Sequence, residues 1–124
     1  MIKIVKASEA KERKVADTYS VFGMLSKEDS NKLSMCISKA KKHKEIALNT
    51  KSDRIYYITK GKVKIEAEGQ KLEARKGDLV FITANTKYKF SGTFEAVQVL
   101  SPPFDRVNEP LDINGNPKRW LNEA

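Results

Sequence analysis

The sequence predicts an all-β protein built as a sandwich or a barrel. Apolar and charged residues alternate over residues 62–68, where Val63 and Ile65 are flanked by lysine and glutamate, and this period of two is typical of a half-buried strand. Turns at Gly69 and Gly77 separate such segments at short, nearly regular intervals. Many short strands joined by glycine turns indicate a sandwich or a barrel.

The strand signals are dense from residue 34 onward. The predicted strands cover residues 54–59, 62–68, 71–75, 79–82 and 94–100. We expect a turn at Gly61, a hairpin around Gly69 and a buried strand at 79–82, which is apolar throughout and too short for a helix. Pro102 and Pro103 end the last strand because proline cannot donate a ladder hydrogen bond.

The N-terminal third gives weaker signals. Residues 2–5 can form a strand, residues 8–14 a helical turn or a loop, and residues 26–32 a polar loop. The apolar segment 21–25 is expected to pack on the barrel or on a partner.

The length of 124 residues fits a single domain. We divide it into an N-terminal strand and apolar segment (1–32), a barrel (33–104) and a C-terminal tail (105–124) that packs on the barrel. Trp120 and Leu121 are expected to dock that tail as an apolar anchor.

The net charge of +8 raises the question of a nucleic-acid partner. The lysines are spread over the chain, and the one dense patch, at 39–44, lacks the aromatic residues on which nucleic-acid surfaces stack bases. We therefore interpret this patch, including the lone His43, as a solvated surface, and we do not expect nucleic acid as a partner.

Localisation is predicted from what the chain lacks. No apolar run approaches the ~20 residues that cross a bilayer, and the N-terminus has no apolar signal core. The single cysteine, Cys36, cannot form an internal disulfide, and its apolar neighbours favour a buried structural thiol. We expect a cytoplasmic protein with no membrane association.

Residues 33–104 resemble the cupin superfamily, whose small barrel is built from two sequence blocks. Residues 53–61 look like the strand and glycine turn of the first block, and residues 77–88 look like the second block. The charged hairpin separates them by about the spacing that the family shows. The resemblance implies a cupin-type double-stranded β-helix, or jelly-roll barrel.

Metal-binding cupins hold an ion with histidines and one carboxylate. Counted from the two block glycines, the four ligand positions hold Leu48, Thr50, Arg54 and Tyr88. A register shifted by one places Ala47 and Asn49 at the first two positions, which is no better. Since the guanidinium of Arg54 is always charged, it repels a cation. We predict a barrel without metal and without other cofactors.

The same parity predicts the lining of a barrel cavity. The candidates are Leu48, Thr50, Arg54, Tyr56, Tyr88 and Phe90. An apolar barrel with one guanidinium and two phenols suits a small anionic or carbonyl-bearing ligand. The alternative is a barrel filled by its own side chains, with Arg54 reaching solvent or paired with a carboxylate such as Glu95.

Three functions follow from these alternatives. We favour a small-molecule-binding barrel that acts as a sensor or accessory protein. The second is a metal-independent isomerase or epimerase, in which Tyr88 or Tyr56 serves as acid or base and Arg54 polarises a carbonyl. The third is a structural or interaction module with a filled barrel. The sequence assigns no catalytic residue.

We also expect a homodimer. Ile2, Ile4 and Val5, with the apolar residues of 21–25, exceed what a small barrel needs for its own core. The cupin resemblance implies pairing through an added N-terminal strand and a sheet face. Exchanging a strand in a two-fold dimer would close an open sheet edge in both copies.

Overall fold

The computed structural model describes residues 1–119. Its strands are β1 (Lys11–Ala16), β2 (Tyr19–Leu25), β3 (Ser34–Ala47), β4 (Asp53–Ala67), β5 (Gln70–Arg75), β6 (Leu79–Ile82) and β7 (Tyr88–Ser101). Single 3-10 turns at Ala7–Glu9 and Arg106–Asn108 are the helical elements of this range. Within residues 1–119 no helix has the length and apolar character to cross a membrane. The all-β prediction is confirmed.

The strands form one antiparallel sheet in the order β1-β2-β3-β7-β4-β5, with β6 also paired to β4. The central strand β7 pairs along its length with both β3 and β4. On its other side, β4 pairs first with β6 and then with β5. The buried residues of these strands form one cluster inside the curled sheet, as the cupin resemblance implied.

The predicted turn at Gly61 is wrong, because β4 continues through it as a bulge. The register with β7 shifts between Ile58 and Lys60. Gly61 has φ +72°, and a Cβ atom there would lie 2.1 Å from the carbonyl oxygen of Thr93. Since only glycine permits that backbone contact, the strand bends across β7 instead of reversing.

Other segments differ from their predictions in smaller ways. Residues 2–5 form no strand, and most of 8–14 belongs to β1 rather than to a loop. The hairpin around Gly69 is confirmed as β4–β5. The strand at 79–82 exists as β6 but is not fully buried, since Leu79 and Phe81 are 56% and 59% exposed. The predicted anchor of Trp120 and Leu121 lies outside the described residues.

The apolar core occupies one part of the barrel. Ile58, Val63, Ile65 and Phe94 are at most 4% exposed and pack with Phe90. Except for Phe90, these residues do not line the cavity described below. The core therefore supports the barrel at one end and leaves space at the other.

Candidate functional site

A cavity of about 780 Å³ opens into the barrel. Its wall includes barrel side chains, namely Tyr19, Val21, Cys36, Glu45, Ala47, Leu48, Arg54, Tyr56, Phe90, Gln98 and Leu100, and residues that follow the last strand, among them Phe104, Glu109 and Leu111. The filled-barrel alternative is therefore wrong for the part of the chain that the structure describes.

Arg54 is the centre of a buried polar cluster on this wall. Its side chain is 7% exposed, and its Nη1 donates to the hydroxyl of Tyr88 at 2.7 Å. The hydroxyls of Tyr88 and Tyr56 lie 2.7 Å apart. Burial raises the pKa of both phenols, so both stay neutral and can donate hydrogen bonds at physiological pH. Tyr88 itself lies behind the wall, and only Arg54 and Tyr56 reach the cavity.

The carboxylate that neutralises Arg54 is Glu109, not the predicted Glu95. Nη2 of Arg54 donates to Oε2 of Glu109 at 2.5 Å, and Nδ2 of Asn49 donates to the same oxygen at 3.1 Å. Glu95 lies between the buried residues of β7 and faces outward, where it pairs with lysines of β3 and β4. Sequence spacing could not reveal Glu109, because it follows the barrel strands.

The end of β3 follows the shifted register of the two considered above. Ala47 and Asn49 are each 5% exposed and face inward. Leu48 is half-buried and still contributes to the cavity wall. Thr50 is exposed, bonds to the carbonyl of Asn108 and lies outside the cavity wall. The side-chain oxygen of Asn49 accepts the backbone N–H groups of the next two residues, and this local turn fixes the register.

His43 is buried, which corrects its interpretation as a surface residue. It is 2% exposed, and its ring stacks on Tyr19 with centroids 4.5 Å apart. Thr18 Oγ1 lies 2.7 Å from Nδ1, and Glu45 Oε1 lies 2.8 Å from Nε2. Both ring nitrogens are thus held by side chains, and Glu45 extends this group to the cavity wall.

A bulge explains why the lysine patch concealed this histidine. The register of β3 with β7 shifts between Ala40 and His43, and Lys42 has φ 48°. Two consecutive lysines therefore face outward, and the inward positions resume at His43. Counting back in twos from Ala47 gives Glu45 and His43, which is the signal that the sequence contained.

Two further wall residues are polar but not reactive. Nε2 of Gln98 donates to the hydroxyl of Tyr19 at 2.8 Å, and burial raises the pKa of that phenol. Burial likewise raises the pKa of the Cys36 thiol to about 11, which fits the predicted structural thiol.

The inward side chains do not fit a cupin metal ion. Arg54 lies where the liganding carboxylate would be, and the adjacent inward positions hold Ala47, Asn49 and Tyr88. Within residues 1–119 no group of three or more histidine, cysteine, aspartate or glutamate side chains could hold a metal ion. A guanidinium already paired with Glu109 leaves no anionic ligand for a cation.

Solved structures share this fold at low sequence identity. A Streptomyces PAC13 variant with uridine has a TM-score of 0.77 and 17% identity over 88% of each chain. KdgF from Halomonas sp. has a TM-score of 0.75 and 16% identity, over 86% of this chain and 99% of that one. The EutQ protein of Clostridium difficile has a TM-score of 0.62 and 24% identity, over 82% and 75% of the two chains.

The family comparison covers most of the sequence. No curated protein sequence matches this chain significantly. The family described as ethanolamine utilisation protein EutQ matches residues 1–101, a range that contains all seven strands. With the cupin barrel of the structural relatives, this match shows that the chain belongs to the EutQ family of cupin-fold proteins.

Proposed function

We propose that this chain binds a small polar molecule with a carbonyl or anionic group in the barrel cavity. One observation carries the proposal: Nε of Arg54 is buried and has no hydrogen-bond partner among the described residues. Leaving a buried donor unpaired costs about 1–3 kcal/mol, so native proteins pair such groups with water or ligand. An oxygen atom of a ligand in the cavity would satisfy it.

The charge balance narrows the ligand class. Glu109 neutralises Arg54, so the cluster carries little net charge. It therefore favours a carbonyl or hydroxyl oxygen over a strong free anion. The apolar wall, which includes Leu48, Phe90 and Leu100, suits the uncharged part of such a molecule.

The structural relatives support the same class. PAC13 structures contain uridine, which carries carbonyl and hydroxyl oxygens on a flat ring and a sugar. For this chain, uridine is a reasonable first probe rather than an assigned ligand.

Ligand-observed NMR can test the binding proposal. A panel of carbonyl, carboxylate and phosphate compounds that includes uridine would be added to the purified protein. We expect at least one carbonyl compound to bind, and the double variant Arg54→Leu, Glu109→Leu to lose it while remaining folded. Arg75→Leu, which removes an exposed arginine, is the matched control and keeps binding. A wild-type protein that binds no member of the panel would contradict the proposal.

A second candidate, a metal-independent proton-transfer enzyme, is favoured by the pair of His43 and Glu45. A carboxylate and a hydroxyl orient the imidazole, the arrangement that general bases use. Arg54 and the neutral phenols could polarise a carbonyl. Because burial keeps Tyr56 and Tyr88 protonated, we assign the base role to the imidazole and not to a tyrosine.

The printed descriptions of PAC13 agree with this second candidate. Pac13 is described as a nucleoside dehydratase, and its uridine complexes include a histidine-to-glutamine variant and two tyrosine-to-phenylalanine variants. The interior of this barrel likewise combines one histidine with tyrosines.

Proton exchange distinguishes catalysis from binding. A carbonyl compound found to bind would be incubated with the protein in heavy water, and loss of the proton next to the carbonyl would be followed by NMR. We expect exchange with the wild type and none with His43→Gln, although that variant still binds the compound. Binding without exchange in the wild type would leave the binding function and exclude the enzyme.

A further inference from the structure

The outside of the sheet carries a second feature, an uncharged surface that we call the outer apolar face. The strand register aligns its members in two rows, which are Leu79, Tyr57, Val97, Ile37 and Phe22, and Phe81, Ile55 and Val99. The rows cross five strands, from β6 through β4, β7 and β3 to β2. Alternation along a strand normally puts polar residues on the outer side of such a sheet, so this face is unusual.

The orientation of these side chains follows from their neighbours. Tyr56, Ile58, Ala96 and Gln98 are at most 4% exposed and face the barrel interior. Successive residues of a strand point to opposite faces, so the residues between them point outward. Tyr57 is 44% exposed, as expected on an uncovered face.

The area of this face matches what a stable interface requires. With about 200 Å² for a fully exposed large side chain, the eight members present roughly 450 Å² in one copy. That value is at the upper end of the ~300–600 Å² that the largest patch of a monomer reaches. Two such faces together would bury about 900 Å² of apolar surface, and a polar rim would bring the contact above the ~1,000 Å² of a specific interface.

We propose that the outer apolar face binds a second copy of this chain, sheet against sheet. The relief of the face is self-complementary. Leu79, Phe81 and Tyr57 protrude on the β6–β4 side, whereas Ile37 and Phe22 on the β3–β2 side are half-buried. A two-fold axis near β7 would place the protruding side of each copy on the recessed side of the other, as a closed dimer requires.

The charge distribution also points to a second copy. Each chain has a net charge of +8, so two copies repel each other wherever lysines meet. The two rows contain no charged residue. At one border, Glu95 forms ion pairs with Lys39 and Lys60, at 3.6 and 3.3 Å, and these reduce the local charge. The outer apolar face is thus a surface through which two basic copies can approach.

This interface differs from the strand exchange that the sequence suggested. Residues 1–6 form no strand in the structure, so they add none to a partner's sheet. We therefore expect deletion of residues 1–6 to leave the dimer intact.

Light scattering coupled to size-exclusion chromatography tests the proposal at micromolar concentration. We expect the wild type at twice the 14.0 kDa of one chain, and Phe81→Lys at 14.0 kDa, because each interface would then hold two buried lysines. Leu72→Lys is the matched control, since Leu72 is 57% exposed on β5 and outside the face; it should stay dimeric.

Folding of each variant is checked by circular dichroism. If Phe81→Lys does not fold, Phe81→Ser provides the same test without a charge, with dissociation at lower concentration as the expected result. A monomeric wild type, or a Phe81 variant that stays as dimeric as the control, would overturn the proposal.

Discussion

Arg54 in β4 donates from Nη2 to Oε2 of Glu109 at 2.5 Å and so joins the barrel to the segment that follows its last strand. The contact spans 55 residues of sequence. It neutralises the positive charge at the position where other cupins carry a metal-binding carboxylate. The barrel therefore keeps a polar centre by an internal ion pair, and the unpaired Nε of Arg54 remains for a ligand.

The first prediction concerns the energy of this pair. The side chains of Arg54 and Glu109 are 7% and 16% exposed, so removing either one leaves the other charge largely desolvated. We expect Arg54→Leu and Glu109→Leu each to lower the free energy of unfolding by about 3–5 kcal/mol, and the double variant to lose much less than their sum. Urea unfolding of the four proteins measures this coupling, and additive losses would show that the pair is not an energetic unit.

The second prediction concerns metal content. Because a guanidinium and neutral side chains stand at the ligand positions, we expect the purified, tag-free protein to carry no stoichiometric metal. Elemental analysis measures it, and the double variant Arg54→Glu, Glu109→Gln is a useful comparison, since it restores a carboxylate. Near-stoichiometric iron, manganese, nickel or zinc in the wild type would refute the assignment.

The third prediction concerns alkaline pH. Burial raises the pKa of Tyr19, Tyr56 and Tyr88 above the ordinary value of 10.0. A raised pKa in the folded state means that the unfolded state loses protons first, so the stability that these groups contribute is complete below about pH 10 and falls as the pH rises further.

Absorbance of tyrosinate near the ultraviolet edge tests this dependence. We expect the three buried phenols to ionise together with loss of the fold, as followed by circular dichroism. Tyr19→Phe should remove one phenol from that joint step. Ionisation of all tyrosines before the protein unfolds would contradict the buried assignment.

The fourth prediction separates two glycines with similar dihedral angles. Gly61 and Gly69 have φ of +72° and +76°, but a Cβ at Gly61 would lie 2.1 Å from the Thr93 carbonyl oxygen, and one at Gly69 meets nothing within 4 Å. We expect Gly69→Ala to cost about 1–2 kcal/mol from the backbone conformation alone. Gly61→Ala should cost clearly more, because the strand crossing must also move. Equal losses in chemical denaturation would show that the contact with Thr93 is relaxed.

The sequence by itself determined the class of the fold and part of the cavity. Alternation around Val63 and Ile65 identified β4, and the glycine spacing from Gly61 placed Arg54 inside the barrel. These inferences hold because the period of a strand is local and does not depend on what the strand packs against. For the same reason Tyr56 and Phe90 were placed correctly on the cavity wall.

The remaining features were decided by the tertiary structure. The bulge before His43 depends on a long-range register with β7, and it reverses the side that the sequence pattern assigns to every residue beyond it. Glu109 meets Arg54 only because the chain folds back over the open end of the barrel. The shift from Thr50 to Asn49 likewise depends on a turn between two paired strands. Local periodicity thus fixes which residues alternate, whereas bulges and the return of the chain, which depend on distant pairing, fix which of them meet in the cavity.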